Sequence, residues 1–81
     1  MYHVKAWHDG LGWCGVRTDT SENGTYADPT EATAAALRLQ AKGSAWMKST
    51  PQNDRRVSVW KYASPLNVHP VAGDVKVWGS P

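Results

Sequence analysis

An α+β fold, with an antiparallel sheet of about three to five strands and one helix packed on one face, is what this 81-residue sequence predicts. Three observations carry that expectation. Tyr2 to His8 and Trp13 to Thr20 each alternate in polarity with a period of two, as half-buried strands do. Asp28-Pro29-Thr30-Glu31 places a capping side chain, a proline suited to the first helical position and a first-turn carboxylate ahead of an Ala-rich run. Arg55 to Tyr62 then alternates again, which gives the order β-β-β-α-β in a single domain spanning 1–81.

The elements follow in order. Asp9-Gly10-Leu11-Gly12 is a turn, so the first two strands form an antiparallel hairpin. Thr20-Ser21-Glu22-Asn23-Gly24 is a second turn, and Thr25-Tyr26-Ala27 is long enough for a short third strand, which makes a three-stranded meander the economical arrangement. The helix runs from Glu31 to Lys42 on residues of high helix propensity and stops at Gly43. Ala32, Ala35, Ala36 and Leu39 make the stripe that faces the sheet, and their small side chains permit a close approach. Trp46 and Met47 extend this helix or begin a packed loop. Ser49 to Asp54 is a polar connection to the strand at Arg55–Tyr62. Residues 64–81 form an irregular tail broken by Ser64-Pro65, His69-Pro70 and Gly73-Asp74. Only Val75-Lys76-Val77-Trp78 alternates there, as an extra strand that pairs on a sheet edge or folds over the open face.

Composition bounds the function. A chain of this size buries only about 60–65% of the surface its unfolded form exposes, so the core is thin. Nine Lys and Arg against seven Asp and Glu leave a net charge of +2, too small to steer a polyanion over long distances. Five Trp and three Tyr with no Phe make large amphipathic rings the main packing material. Cys14 is single and excludes an intramolecular disulfide. The first residues carry no basic segment followed by an apolar run, and no stretch approaches the roughly 18 apolar residues of a membrane span. A soluble, cytoplasmic protein with no membrane partner is expected.

The alternation sends Lys5, Trp7, Trp13 and Arg17 to one side of the sheet, where Arg56, Trp60 and Tyr62 join them. Tyr2, Val4, Ala6, Cys14, Val16, Val57 and Val59 fall on the opposite, core side. A small sheet covers one face with its helix and leaves the other to solvent, so indoles interleaved with cations on that face call for an interface. Trp, Tyr and Arg are the residue types enriched at binding hot spots. The same mixture stacks nucleobases and neutralises phosphates. Cover by the tail, or a homodimer that buries the rings, would serve the same surface.

Catalytic constellations are poorly supported. Cys14 with His3 or His8 suggests a nucleophile and base, but alternation sends His3 and Cys14 to opposite faces, and a thiol on an apolar face is an inert hydrophobe. His8, Asp9, Cys14 and His69 lack the paired spacing of a zinc site. Asp9, Asp19, Glu22 and Asp28 sit in or beside turns, where carboxylates satisfy local N–H groups. Gly10-Leu11-Gly12 leads into a strand and not a helix, which removes the phosphate-loop reading. No enzyme activity, cofactor or metal is expected.

The stretch from Gly24 to Ala36, preceded by a hairpin bearing Trp13 and Arg17, resembles the passage from a three-stranded sheet into its covering helix in two groups. One comprises the sheet-reading DNA-binding domains of plant ethylene-response factors and the arm-binding domains of phage-type integrases. The other is a set of short uncharacterised bacterial and phage proteins. The likeness covers roughly residues 2–42. It implies that Lys5, Trp7, Trp13 and Arg17 would contact a duplex, although this chain has few strand arginines and several acids in its turns. In size and single-domain character the chain is also similar to small phage-encoded inhibitors of host defence, including anti-CRISPR proteins. The function expected is therefore a non-enzymatic module that binds a host protein or a second copy of itself through Lys5, Trp7, Trp13, Arg17, Arg56, Trp60 and Tyr62. Nucleic-acid binding by the same face is the alternative.

Overall fold

A computed structural model describes residues 1–8, 10–42, 56–61 and 74–79. Its fold is α+β, a five-stranded antiparallel sheet with one helix. The strands are β1 (Tyr2–His8), β2 (Gly12–Gly15), β3 (Thr25–Tyr26), β4 (Val57–Lys61) and β5 (Val75–Gly79), and the helix α1 (Pro29–Lys42) lies between β3 and β4 in the chain. The order across the sheet is β2-β1-β4-β5, with β3 also paired to β1.

Strand β1 is the centre of the sheet. Its Tyr2–Ala6 stretch pairs with β4 along one edge. Along the other edge β2 pairs with Lys5–His8, and β3 with Tyr2 and His3. The expected meander, with β3 beside β2, is therefore corrected: β2 and β3 lie end to end on the same side of β1. The reason is the short second strand. Alternation continues in sequence to Thr20, but pairing stops at Gly15, and Thr18 instead closes a local loop in which its N–H donates to the Ser21 carbonyl at 2.9 Å and its Oγ1 accepts from the Ser21 N–H at 3.0 Å. The chain returns to the sheet at Gly24, whose carbonyl accepts from the Val4 N–H at 2.8 Å. Gly24 has φ of +66°, and a Cβ there would run into the Val16 carbonyl oxygen, so this crossing requires glycine. The Tyr26 hydroxyl, buried beneath the loop, bonds to Thr18 Oγ1 and, at 2.6 Å, to Thr20 Oγ1.

Helix α1 begins where its signals place it. The Thr30 N–H donates to Asp28 Oδ1 at 2.9 Å, which makes Asp28 the N-cap and Pro29 the first helical residue. Ala32, Ala35 and Ala36 are fully buried and Leu39 is half-buried, so the expected stripe is the contact stripe. With no bulk beyond Cβ, the three alanines bring the helix down onto β1, β3 and β4. There it covers Val4, Ala6, Tyr26, Val57 and Val59, with Tyr2, Val16 and Trp78 at the margin. Each fully buried valine contributes about 1.5–3 kcal/mol relative to exposure.

The tail supplies β5, which pairs with β4 at the sheet edge and does not fold across the face. Its register is irregular. Val59 opposes Trp78 while the next residue, Trp60, opposes Lys76, leaving Val77 as the extra residue of a bulge. The readings that concern Asp9, Trp46, Met47, the 49–54 connection, Tyr62 and His69 lie outside the described residues.

Candidate functional site

The face of the sheet away from α1 is built on β1, where alternation puts His3, Lys5 and Trp7 on one side. Antiparallel register completes it: Trp13 of β2 opposes Trp7, Ser58 of β4 opposes Lys5, and Trp60 of β4 opposes both His3 and Lys76. Trp7 and Trp13 meet edge to face at 5.5 Å between centroids and 78° between planes, and Trp13 meets Trp60 at 6.4 Å and 60°. The Trp60 indole N–H donates to Ser58 Oγ at 2.7 Å, which fixes that ring's orientation.

Cations lie on these rings. Arg56, just before β4, stacks its guanidinium 4.7 Å from the Trp7 centroid. The Lys76 ammonium lies 5.5 Å from Trp13 and 5.9 Å from Trp60, and the Lys5 ammonium lies 5.1 Å from Trp60 on the strand beside it. All four distances are within the range in which a ring quadrupole attracts a cation. Lys5 also forms an ion pair with Asp74 at 3.3 Å, and both side chains are 0% exposed. Burial pushes the Lys5 ammonium below its usual range, and the hydrogen bond and charge of Asp74 oppose that shift.

Of the site residues expected from sequence, Lys5, Trp7, Trp13, Arg56 and Trp60 come together on this face. Arg17 does not. It follows the end of β2, is exposed, and pairs with Glu22 at 3.3 Å. Tyr62 lies outside the described residues. The expectation of an open, solvent-facing surface also changes, because His3, Lys5, Trp13 and Ser58 are buried, while Trp7, Arg56, Trp60 and Lys76 are half-buried. Among the described residues the face is a packed layer whose accessible part is two indoles and two cations. Sequence reading missed Ser58, Asp74 and Lys76 as members. Ser58 was discoverable from its position between Val57 and Val59, since alternation puts it on the Lys5 side; Asp74, 69 residues from Lys5, left no local signal.

Cys14 opposes Ala6 on the core side, away from His3. Its Sγ donates weakly to the Gly12 carbonyl at 3.6 Å, and burial pushes the thiol up, with Lys5 pulling the other way. This environment favours thiol over thiolate. Among the described residues no three His, Cys, Asp or Glu side chains are grouped to hold a metal ion, and no helix is long and apolar enough to cross a membrane.

No protein-family model matches the chain, and no curated protein or solved structure matches it either.

Proposed function

We propose that this chain is a non-enzymatic protein-binding module that docks through the accessible part of its indole and cation layer, Trp7, Arg56, Trp60 and Lys76. One observation carries the reading: half-buried rings and cations are pre-stacked on a hydrogen-bonded sheet over a buried base of Lys5, Trp13 and Asp74. A surface held in one geometry before contact loses little rotamer entropy on binding. In this reading Lys5 and Trp13 support the contact residues from below.

A protein partner is favoured over nucleic acid because, among the described residues, the accessible part of the face offers only the cations Arg56 and Lys76, each stacked on an indole. The third cation of the layer, Lys5, is buried and paired with Asp74. A small module of this kind fits a phage-type inhibitor that occupies a host protein complex, and that is the role we assign to it.

The test is site-specific photo-crosslinking from position 56 in cells of the source organism, followed by purification of the captured protein and affinity measurement. Trp7→Ala and Lys76→Glu are expected to weaken that binding at least about tenfold while the far-ultraviolet circular dichroism is unchanged. Crosslinks only to DNA or RNA, with an affinity that falls steeply with salt, would transfer the face to the nucleic-acid reading. Unchanged affinity in both variants would remove the face from function altogether.

A further inference from the structure

On the helix side of the molecule a second cluster gathers where the 17–19 loop meets the last turn of α1. Arg17, Thr18, Asp19, Arg38, Leu39 and Lys42 line a depression of about 180 Å³. Three cations line it beside Asp19, with Leu39 as an apolar element, and Arg17 also pairs with the exposed Glu22 at 3.3 Å. Arg38 grips Asp19 with two parallel bonds, Nε to Oδ2 at 2.6 Å and Nη2 to Oδ1 at 3.1 Å. This fork geometry is the one a guanidinium uses for any carboxylate.

Both walls are held in place. The loop is closed by the Thr18 and Ser21 bonds and by Thr25 N–H donating to Ser21 Oγ at 3.1 Å, and the other wall is regular helix. A cation in a final helical turn commonly offsets the negative end of the helix dipole, and Lys42 alone would need no other account. That role does not extend to Arg17, which arrives from the loop and, among the described ion pairs, is held only by its exposed pairing with Glu22. Leu39 packs on the core and leaves part of its side chain in the cleft. Asp19 behaves as a reporter of the local potential: its carboxyl is held below the usual range first by the Arg38 hydrogen bond, and the charges of Arg38 and Lys42 act in the same direction.

We infer that this cleft is a docking site for an acidic segment of a partner polypeptide, one carboxylate lying between Arg17 and Lys42 and a neighbouring apolar side chain resting on Leu39. The polypeptide class of the ligand rests on the protein-binding reading, but the site is separate from the indole face and is tested separately. Asp19, and Glu22 on Arg17, are then the internal competitors that an incoming carboxylate works against.

The experiment is a titration of the 15N-labelled full chain with a short capped Leu-Glu-Leu peptide, using the Leu-Gln-Leu peptide and inorganic phosphate as controls. Saturable shifts are expected at the amides of 17–19 and 38–42 with the Glu peptide alone. Lys42→Glu and Arg17→Glu should each weaken binding about fivefold or more, and Asp19→Asn should tighten it by a similar factor. The amide spectrum of each free variant shows whether its fold is retained. The inference is overturned by absent shifts, by an equal response to the Gln peptide or to phosphate, or by weaker binding in Asp19→Asn. None of these outcomes bears on crosslinking from position 56.

Discussion

Lys76 and Trp78 are two residues apart on one strand yet face opposite sides of the sheet, Lys76 over the Trp13 and Trp60 rings and Trp78 against the core under α1. In a regular strand they would share a face. The extra residue, Val77, changes the phase between them, and it is 48% exposed. Deleting Val77 should therefore give an unbulged β5 in which Lys76 still opposes Trp60 and Trp78 still opposes Val59. We expect Val77 deletion to cost no more than about 1 kcal/mol in urea unfolding, whereas Trp78→Ala, which strips the core margin, costs about 3 kcal/mol. A deletion as damaging as Trp78→Ala would mean that the bulge has a structural role of its own.

The pair Lys5 and Asp74 joins β1 to the residue preceding β5 across the intervening β4, with both side chains fully buried. Removing one member leaves the other charge in the interior, which typically costs about 3–5 kcal/mol, a large part of the roughly 5–15 kcal/mol that holds a native domain. Asp74→Ala should lose stability on that scale. The double variant Lys5→Met with Asp74→Leu should recover most of it, because an apolar pair of similar volume avoids the desolvation of two ions. A double-mutant cycle in urea measures the coupling. Asp74→Ala within about 1 kcal/mol of the parent would show that the ammonium finds water or another acceptor.

These two relationships also mark the limit of what the sequence reveals. Local signals worked: the Asp28 cap, Pro29 and the spacing of Ala32, Ala35 and Ala36 placed the helix and its buried stripe, and alternation in β1 and β4 separated the Val4 side from the Lys5 side. Failures arose where pairing is decided by distant parts of the chain. Alternation persists through Arg17 to Thr20, but a strand needs a partner edge, and β3 takes the remaining length of β1 beside His3. That choice removed Arg17 from the candidate face. A period of two would put Lys76 on the same face as Trp78, and the bulge at Val77, which separates them, leaves no signal in the sequence.

The Asp19 and Arg38 pair gives stability a defined dependence on acid. The Arg38 hydrogen bond lowers the Asp19 carboxyl below its ordinary value of 3.8 in the folded state, so the unfolded chain binds this proton more tightly. The contribution is fully present above the unfolded pKa and is lost as the pH falls through the lower, folded one. Asp19→Asn should therefore be less stable than the parent by a constant amount from pH 5 to 8. The gap should narrow below the unfolded value and close in stronger acid. Both side chains are substantially exposed, 43% for Arg38 and 39% for Asp19, so the gap should be small and should shrink in 1 M salt. Thermal unfolding of the two proteins from pH 2 to 8 reads it directly. A gap that widens in acid would reverse the sign and show that Asp19 titrates more easily folded than unfolded.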